Sequence, residues 1–194
     1  MTALTASRVD ARADAYPPRH APVLRTLHWT IALLIFAAIA LGVAVINLPR
    51  TPFRVELMTV HKSLGVTVLA LVVVRVLVRL STGAPPHMPA LDAFAHVASK
   101  LVHLALYALM IAMPISGYVH SSAGRHAFDW FGLFPVPMWV GADPAIDRAA
   151  GEAHYVLAWA IGAVITLHVL AALWHLLVKK DNVFSRMGPR PRGA

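Results

Sequence analysis

The chain has 194 residues, 58% of them hydrophobic and 13% charged, with a formal net charge of +8 and no cysteine. A soluble domain carries about 25% charged residues, so the composition excludes one and marks an integral membrane protein. The missing cysteines exclude disulfides, thiolate metal sites and iron–sulfur clusters, and within a membrane protein the positive charge reads as a topology signal, not as a nucleic-acid surface.

Residues 1–21 contain Arg8, Arg12 and Arg19 but no apolar run, so a disordered tail is expected there and not a cleaved signal. Four apolar spans follow, at about residues 27–48, 57–80, 101–119 and 153–178. Each is long enough to cross ~30 Å of hydrocarbon as a helix. The expected fold is therefore all-α, a four-helix transmembrane bundle over residues 22–180, with a basic tail at 181–194.

Local punctuation agrees with these spans. Pro22 suits a first helical turn, Pro49 and Pro52 are expected to close the first helix, Gly83 with Pro85 and Pro86 to follow the second, and Asp92 to cap the third. Met113-Pro114 lies inside the third span and predicts a kink, used for packing or to free a carbonyl for a neighbour. Residues 121–148 carry Phe128, Trp130, Phe131, Phe134 and Trp139, an aromatic density expected of an interfacial belt, with a lid over a cofactor as the sharper alternative.

An even number of spans puts both termini on one side. Twelve basic residues fall on that side (Arg8, Arg12, Arg19, Arg25, Arg75, Arg79, Lys100, Lys179, Lys180, Arg186, Arg190, Arg192), against five on the other (Arg50, Arg54, Lys62, Arg125, Arg148). The positive-inside rule then predicts cytoplasmic termini.

Six histidines, His28, His61, His103, His154, His168 and His175, lie in or at the ends of the spans, where an imidazole is costly unless bound. The second and fourth helices run in the same direction, so His61 and His154, each near the start of its helix, share a depth. His28 and His168 fall toward the opposite side, with His103 as an alternative partner if the first helix begins too late. The fourteen residues from His154 to His168 correspond to ~21 Å along a helix.

Two opposed imidazoles per layer suit six-coordinate b-type haem. Zinc, which takes four ligands in structural sites, suits them less. Gly42, Gly65, Gly117 and Gly162 offer close approach for a macrocycle or for ordinary helix packing. Arg75, at the depth of the second layer, needs an anion, which a haem propionate would supply. His175, two turns beyond His168, is a candidate to hydrogen-bond a quinone carbonyl and deliver a proton.

The chain resembles bacterial cytochrome b561 from Leu27 to Pro189. The resemblance rests on Leu27-His28-Trp29, on His61 with Val-Val-Arg75, on His103-Leu-Ala-Leu-Tyr107 with Met113-Pro114 and Gly117, and on His154, His168, His175 and Lys180-Asp181-Asn182. It implies a multi-pass protein of the bacterial inner membrane holding two haem b groups in membrane lipid. The implied ligands are His61 with His154 on the periplasmic side and His28 with His168 on the cytoplasmic side.

It also implies electron exchange with ubiquinone. Within the family, one expectation is oxidation of superoxide to dioxygen with reduction of ubiquinone; another is an electron conduit from a periplasmic dehydrogenase or carrier to the quinone pool. A haem-independent transporter or structural protein is the reading of another class. The outer side carries five acids, Glu56, Asp129, Asp143, Asp147 and Glu152, beside its five bases. An electropositive funnel is therefore expected only locally, from Lys62 and Arg148.

Overall fold

The computed structural model describes residues 19–83, 93–181 and 183–188. Its four long helices are α1 (Pro22–Asn47), α2 (Pro52–Thr82), α3 (Ala93–Ala123) and α4 (Pro144–Trp174), the last continuing as a π-helical turn, His175–Lys179. All four are long and apolar enough to cross a membrane. Two bonds show that both ends of the described chain meet at one end of the bundle: His20 N–H donates to the Arg186 carbonyl at 3.4 Å, and Trp29 Nε1–H to that of Met187 at 3.0 Å.

The helices outrun the apolar runs because their ends are capped beyond them. Pro52, expected to close the first helix, instead begins α2, with Thr51 Oγ1 accepting from the Arg54 amide. A proline has no N–H to lose in a first turn, so that position costs it nothing. Pro144 plays the same part in α4, where the Asp143 carboxylate accepts from the amides of Ala145 and Ile146 at 2.8 and 3.1 Å. Arg54 Nε donates to the Val45 carbonyl at 2.8 Å, satisfying an orphan acceptor at the end of α1 and tying the α1–α2 turn. Gly83 ends α2 at φ 69°, a left-handed position open to glycine, and its amide bonds back to Arg79. The Asp92 cap and Pro85-Pro86 lie outside the described residues.

Packing runs in sequence: α1 against α2, α2 against α3, α3 against α4. The core joins Ile31 of α1 to Val68 and Val72 of α2, flanked by Tyr107, Met110 and Ile111 of α3. In contrast, α4 buries only Ile161 among its described residues. Its outer face presents Tyr155, Trp159 and Leu170, apolar surface suited to lipid.

The α3–α4 connection is a small β-hairpin. Asp129–Trp130 (β1) pairs antiparallel with Phe134–Pro135 (β2) around Phe131 and Gly132, both at positive φ. It lies on α2: Trp130 Nε1–H donates to Thr67 Oγ1 at 3.1 Å and the Phe131 amide to Ser63 Oγ at 2.9 Å. Lys62 Nζ reaches the His126 carbonyl at 2.9 Å. The aromatic segment thus divides, with Trp139 83% exposed as an interfacial residue would be and Trp130 anchored on the bundle.

Ser63 is fully buried and also donates to the Thr59 carbonyl. Ser63→Ala removes the acceptor for Phe131, a loss of about 1–1.5 kcal/mol. Amide hydrogen exchange at Phe131 is expected to quicken about tenfold, while exchange in the middle of α2 stays unchanged.

Candidate functional site

The histidines of the spans form a ladder through the bundle. At the hairpin end, His61 of α2 faces His154 of α4, ring centres 6.2 Å apart and planes at 85°. Toward the terminal end, His28 of α1 faces His168 of α4, at 6.3 Å and 78°. Neither α1 with α4 nor α2 with α4 is among the closely packed helix pairs. These helices meet through their imidazoles.

The ring nitrogens of the first pair are differentiated. His61 Nδ1–H donates to the Ala38 carbonyl at 2.9 Å, and His154 Nδ1–H to the Met113 carbonyl at 3.1 Å, with Ser116 Oγ also 3.1 Å away. A proton held on Nδ1 leaves Nε2 with its lone pair, the form a metal requires. The carbonyl serving His154 is that of Met113, immediately before Pro114, so the proline motif supplies an acceptor to a neighbouring helix. Proline's own missing amide would instead have freed the carbonyl four residues back.

Spacing tests whether these pairs suit a metal. Allowing about 2 Å from metal to each nitrogen and about 1.1 Å from nitrogen to ring centre puts two ring centres about 6.2 Å apart. Both pairs meet this. His103 does not: its ring lies 5.3 Å from that of His168. The geometry therefore favours His28 over His103 opposite His168. Among the described residues, no three His, Cys, Asp or Glu side chains gather as a closed metal cage; an opposed pair of imidazoles suits haem better than structural zinc, which takes four ligands.

Two glycines make room for the rings. A Cβ at Gly117 would lie 2.8 Å from His154 Cε1, and one at Gly42 would lie 3.2 Å from His61 Cε1. Gly65 meets only Pro114, at 4.0 Å, and Gly162 meets nothing within 4 Å. Gly42 and Gly117 thus accommodate the imidazoles themselves.

Arg75 is buried at 9% exposure, donating to the Leu24 carbonyl at 2.6 Å and to Tyr107 Oη at 3.2 Å. Both acceptors are neutral, and these two bonds use only part of the guanidinium's five N–H donors. His175 Nδ1 lies 2.5 Å from Asp181 Oδ2, and Asp181 Oδ1 accepts from the Val183 amide. The π-helical turn beginning at His175 and the left-handed Lys180 bring that carboxylate back to the ring. The Ser116, Asp181 and Tyr107 contacts depend on helix rotation or a chain reversal; only the family motif in the sequence hinted at the last two.

A sequence profile of the prokaryotic cytochrome b561 family matches residues 19–190. The chain belongs to the prokaryotic cytochrome b561 family. It is 31% identical to "Cytochrome b561 homolog 2" of Escherichia coli K12 over 172 residues, covering 88% of this chain and 92% of the relative. It is 30% identical to "Probable superoxide oxidase CybB" of Yersinia pestis over 167 residues, 86% and 94% of the two chains. With "Cytochrome b561 homolog 1" of Escherichia coli K12 the identity is 28%, over 84% and 93%. The cytochromes b561 bind haem b, and this chain is an integral membrane b-type cytochrome of redox function.

The glycine contacts set a ranking for this cytochrome b561. Gly117→Ala forces His154 to shift and is expected to cost about 1–3 kcal/mol of stability. Gly42→Ala, whose neighbour needs to yield only a few tenths of an ångström, is expected to cost less. Thermal unfolding of the purified protein in detergent checks the order, and equal midpoints would contradict the packing.

Proposed function

We propose that the two imidazole pairs hold two haem b groups, one between His61 and His154 and one between His28 and His168, and that the protein passes electrons through them to ubiquinone. The supporting observation is the near-equal spacing of the two pairs, 6.2 and 6.3 Å, at the separation a shared metal requires. The fourteen residues of α4 between His154 and His168 set the layers ~21 Å apart. When bound, the haems supply one-electron redox chemistry, and the chain supplies their position and insulation.

The residues divide that work. Backbone carbonyls of Ala38 and Met113 fix the tautomers of His61 and His154, strengthening Nε2 as a donor. Arg75, steadied by Leu24 and Tyr107, offers a buried cation to a propionate, and His103 lines the same layer. His175 donates a proton to a quinone carbonyl, with Asp181 orienting the ring and restoring its charge balance.

The donor in this reading is superoxide at the hairpin end, which faces the periplasm if the basic terminal end is cytoplasmic in a bacterial inner membrane. Two superoxide anions each lose one electron to become dioxygen, and one quinone takes up two electrons and two protons. Lys62, adjacent to His61 and lying 5.2 Å over the Phe128 ring, is the cation nearest the outer layer in sequence. The relative named a probable superoxide oxidase supports this donor.

Stopped-flow mixing of the purified protein with superoxide tests the donor: prompt haem reduction without a soluble partner is expected, whereas dependence on a partner protein would favour the conduit. His154→Ala is expected to remove one haem of two and block electron entry, with loss of both or neither contradicting the pairing. His175→Ala is expected to slow quinone reduction at least tenfold, the lower range for loss of a proton donor, with both haems retained. Unchanged quinone kinetics would eliminate its role.

A further inference from the structure

The two imidazole pairs are held differently. At the hairpin end, His61 and His154 are each fixed by a backbone carbonyl of a neighbouring helix. At the terminal end, neither His28 nor His168 bonds through a ring nitrogen to another described residue; their contacts are ring to ring. His28 meets His168 and, at 5.2 Å and 65°, its chain neighbour Trp29. Since α1 and α4 are not among the closely packed helix pairs, direct packing of one on the other does little to set this gap.

The chain's last described segment crosses it. Residues 183–188, which include the short helix Phe184–Arg186, run from the end of α4 to the start of α1. His175 Nδ1 lies 2.5 Å from Asp181 Oδ2, and Asp181 Oδ1 accepts from the Val183 amide at 3.2 Å, which ties the segment to the π-helical turn. The Phe184 carbonyl accepts from the amides of Met187 and Gly188 at 3.1 and 2.8 Å, closing a compact turn. A Cβ at Gly188 would lie 2.8 Å from Phe184 Cδ1, so the turn closes over that ring because residue 188 has no side chain.

The far side of the turn holds α1. The Met187 carbonyl accepts from Trp29 Nε1–H at 3.0 Å, and the Phe184 and Trp29 rings meet edge to face at 6.4 Å and 64°. Just ahead of α1, Arg19 Nε and the His20 amide donate to the carbonyls of Ser185 and Arg186 at 3.1 and 3.4 Å. The indole is thus held at its nitrogen and against its ring. Aromatic pairs have preferred orientations, so an indole fixed in this way restricts the rotation of the imidazole packed beside it.

We infer that residues 183–188 form a strap across the opening between α1 and α4, and that Trp29, clasped by the strap, is the positioning residue that orients His28 toward His168. This rests on the reading of that pair as haem ligands. The orientation of a metal-bound imidazole is ordinarily fixed by a hydrogen bond to its second ring nitrogen. Carbonyls do this for His61 and His154, and the strap does it for His28 through Trp29.

The test uses the haem-loaded full chain. Electron paramagnetic resonance of the oxidised protein reads the low-spin centres, and transfer to a haem-scavenging apoprotein reads haem retention. The terminal signal is identified as the one that persists in His154→Ala. Trp29→Leu is expected to lower the large g-value of that signal and to speed loss of its haem about tenfold, the lower range for a partner outside the ligand shell, with the other centre unchanged. Gly188→Ala, whose Cβ meets Phe184, is expected to reproduce this signature from the far end of the sequence. Trp29→Phe, which keeps a ring edge beside His28, is expected to retain most of the wild-type signal, and Trp139→Leu at the hairpin end to alter neither centre. Two wild-type centres with the terminal signal unmoved in Trp29→Leu and Gly188→Ala would overturn the strap and leave the pairing standing. Equal changes at both centres would mean general loosening and would also overturn it. A wild type lacking the terminal signal would contradict the pairing itself, and the strap with it.

Discussion

An imidazole placed in hydrocarbon has two nitrogens to satisfy, and the arrangement of this bundle turns on how that is done. For His61 and His154, one nitrogen is settled by a backbone carbonyl of a neighbouring helix, Ala38 of α1 and Met113 of α3. The other, Nε2, is left with its lone pair. Each donated bond also joins adjacent helices, so one contact sets tautomer, ring rotation and helix registry together. Glycine at 42 and 117 follows, because a side chain there would crowd the ring the carbonyl holds.

The two ends of the bundle are electrostatic opposites. The hairpin end carries the described acids except Asp181, with a hairpin seated on Ser63 and Thr67; at the terminal end Arg19 donates to the Ser185 carbonyl and Arg79 to that of Gly83. Such asymmetry orients a membrane protein. The π-helical turn belongs to the terminal end, where widening the helix after Trp174 lets Asp181 return to His175. Deviations of this kind are common where a helix must present a functional side chain.

Much of this was legible in the sequence because hydrocarbon imposes simple rules. Hydropathy located the four spans, and alternating helix direction placed His61 level with His154 and His28 level with His168. The starting point of α1 at Pro22 removes the mismatch in depth that made His103 an alternative. Helix ends were less legible, since Pro52 and Pro144 extend α2 and α4 through polar residues that hydropathy excludes. The hairpin depends on hydroxyls of α2 more than sixty residues earlier, and Arg75 on a carbonyl fifty-one residues away. No local pattern encodes such contacts.

The central claim, that each opposed pair clasps one haem iron through nearly perpendicular imidazoles, is tested most directly by low-temperature electron paramagnetic resonance of the oxidised, purified protein. Planes at 85° and 78° predict highly anisotropic low-spin ferric signals dominated by one large g-value, from both centres. A rhombic low-spin spectrum with three resolved g-values would mean near-parallel rings, and a high-spin signal would mean that an imidazole is missing from the iron; either would contradict the account.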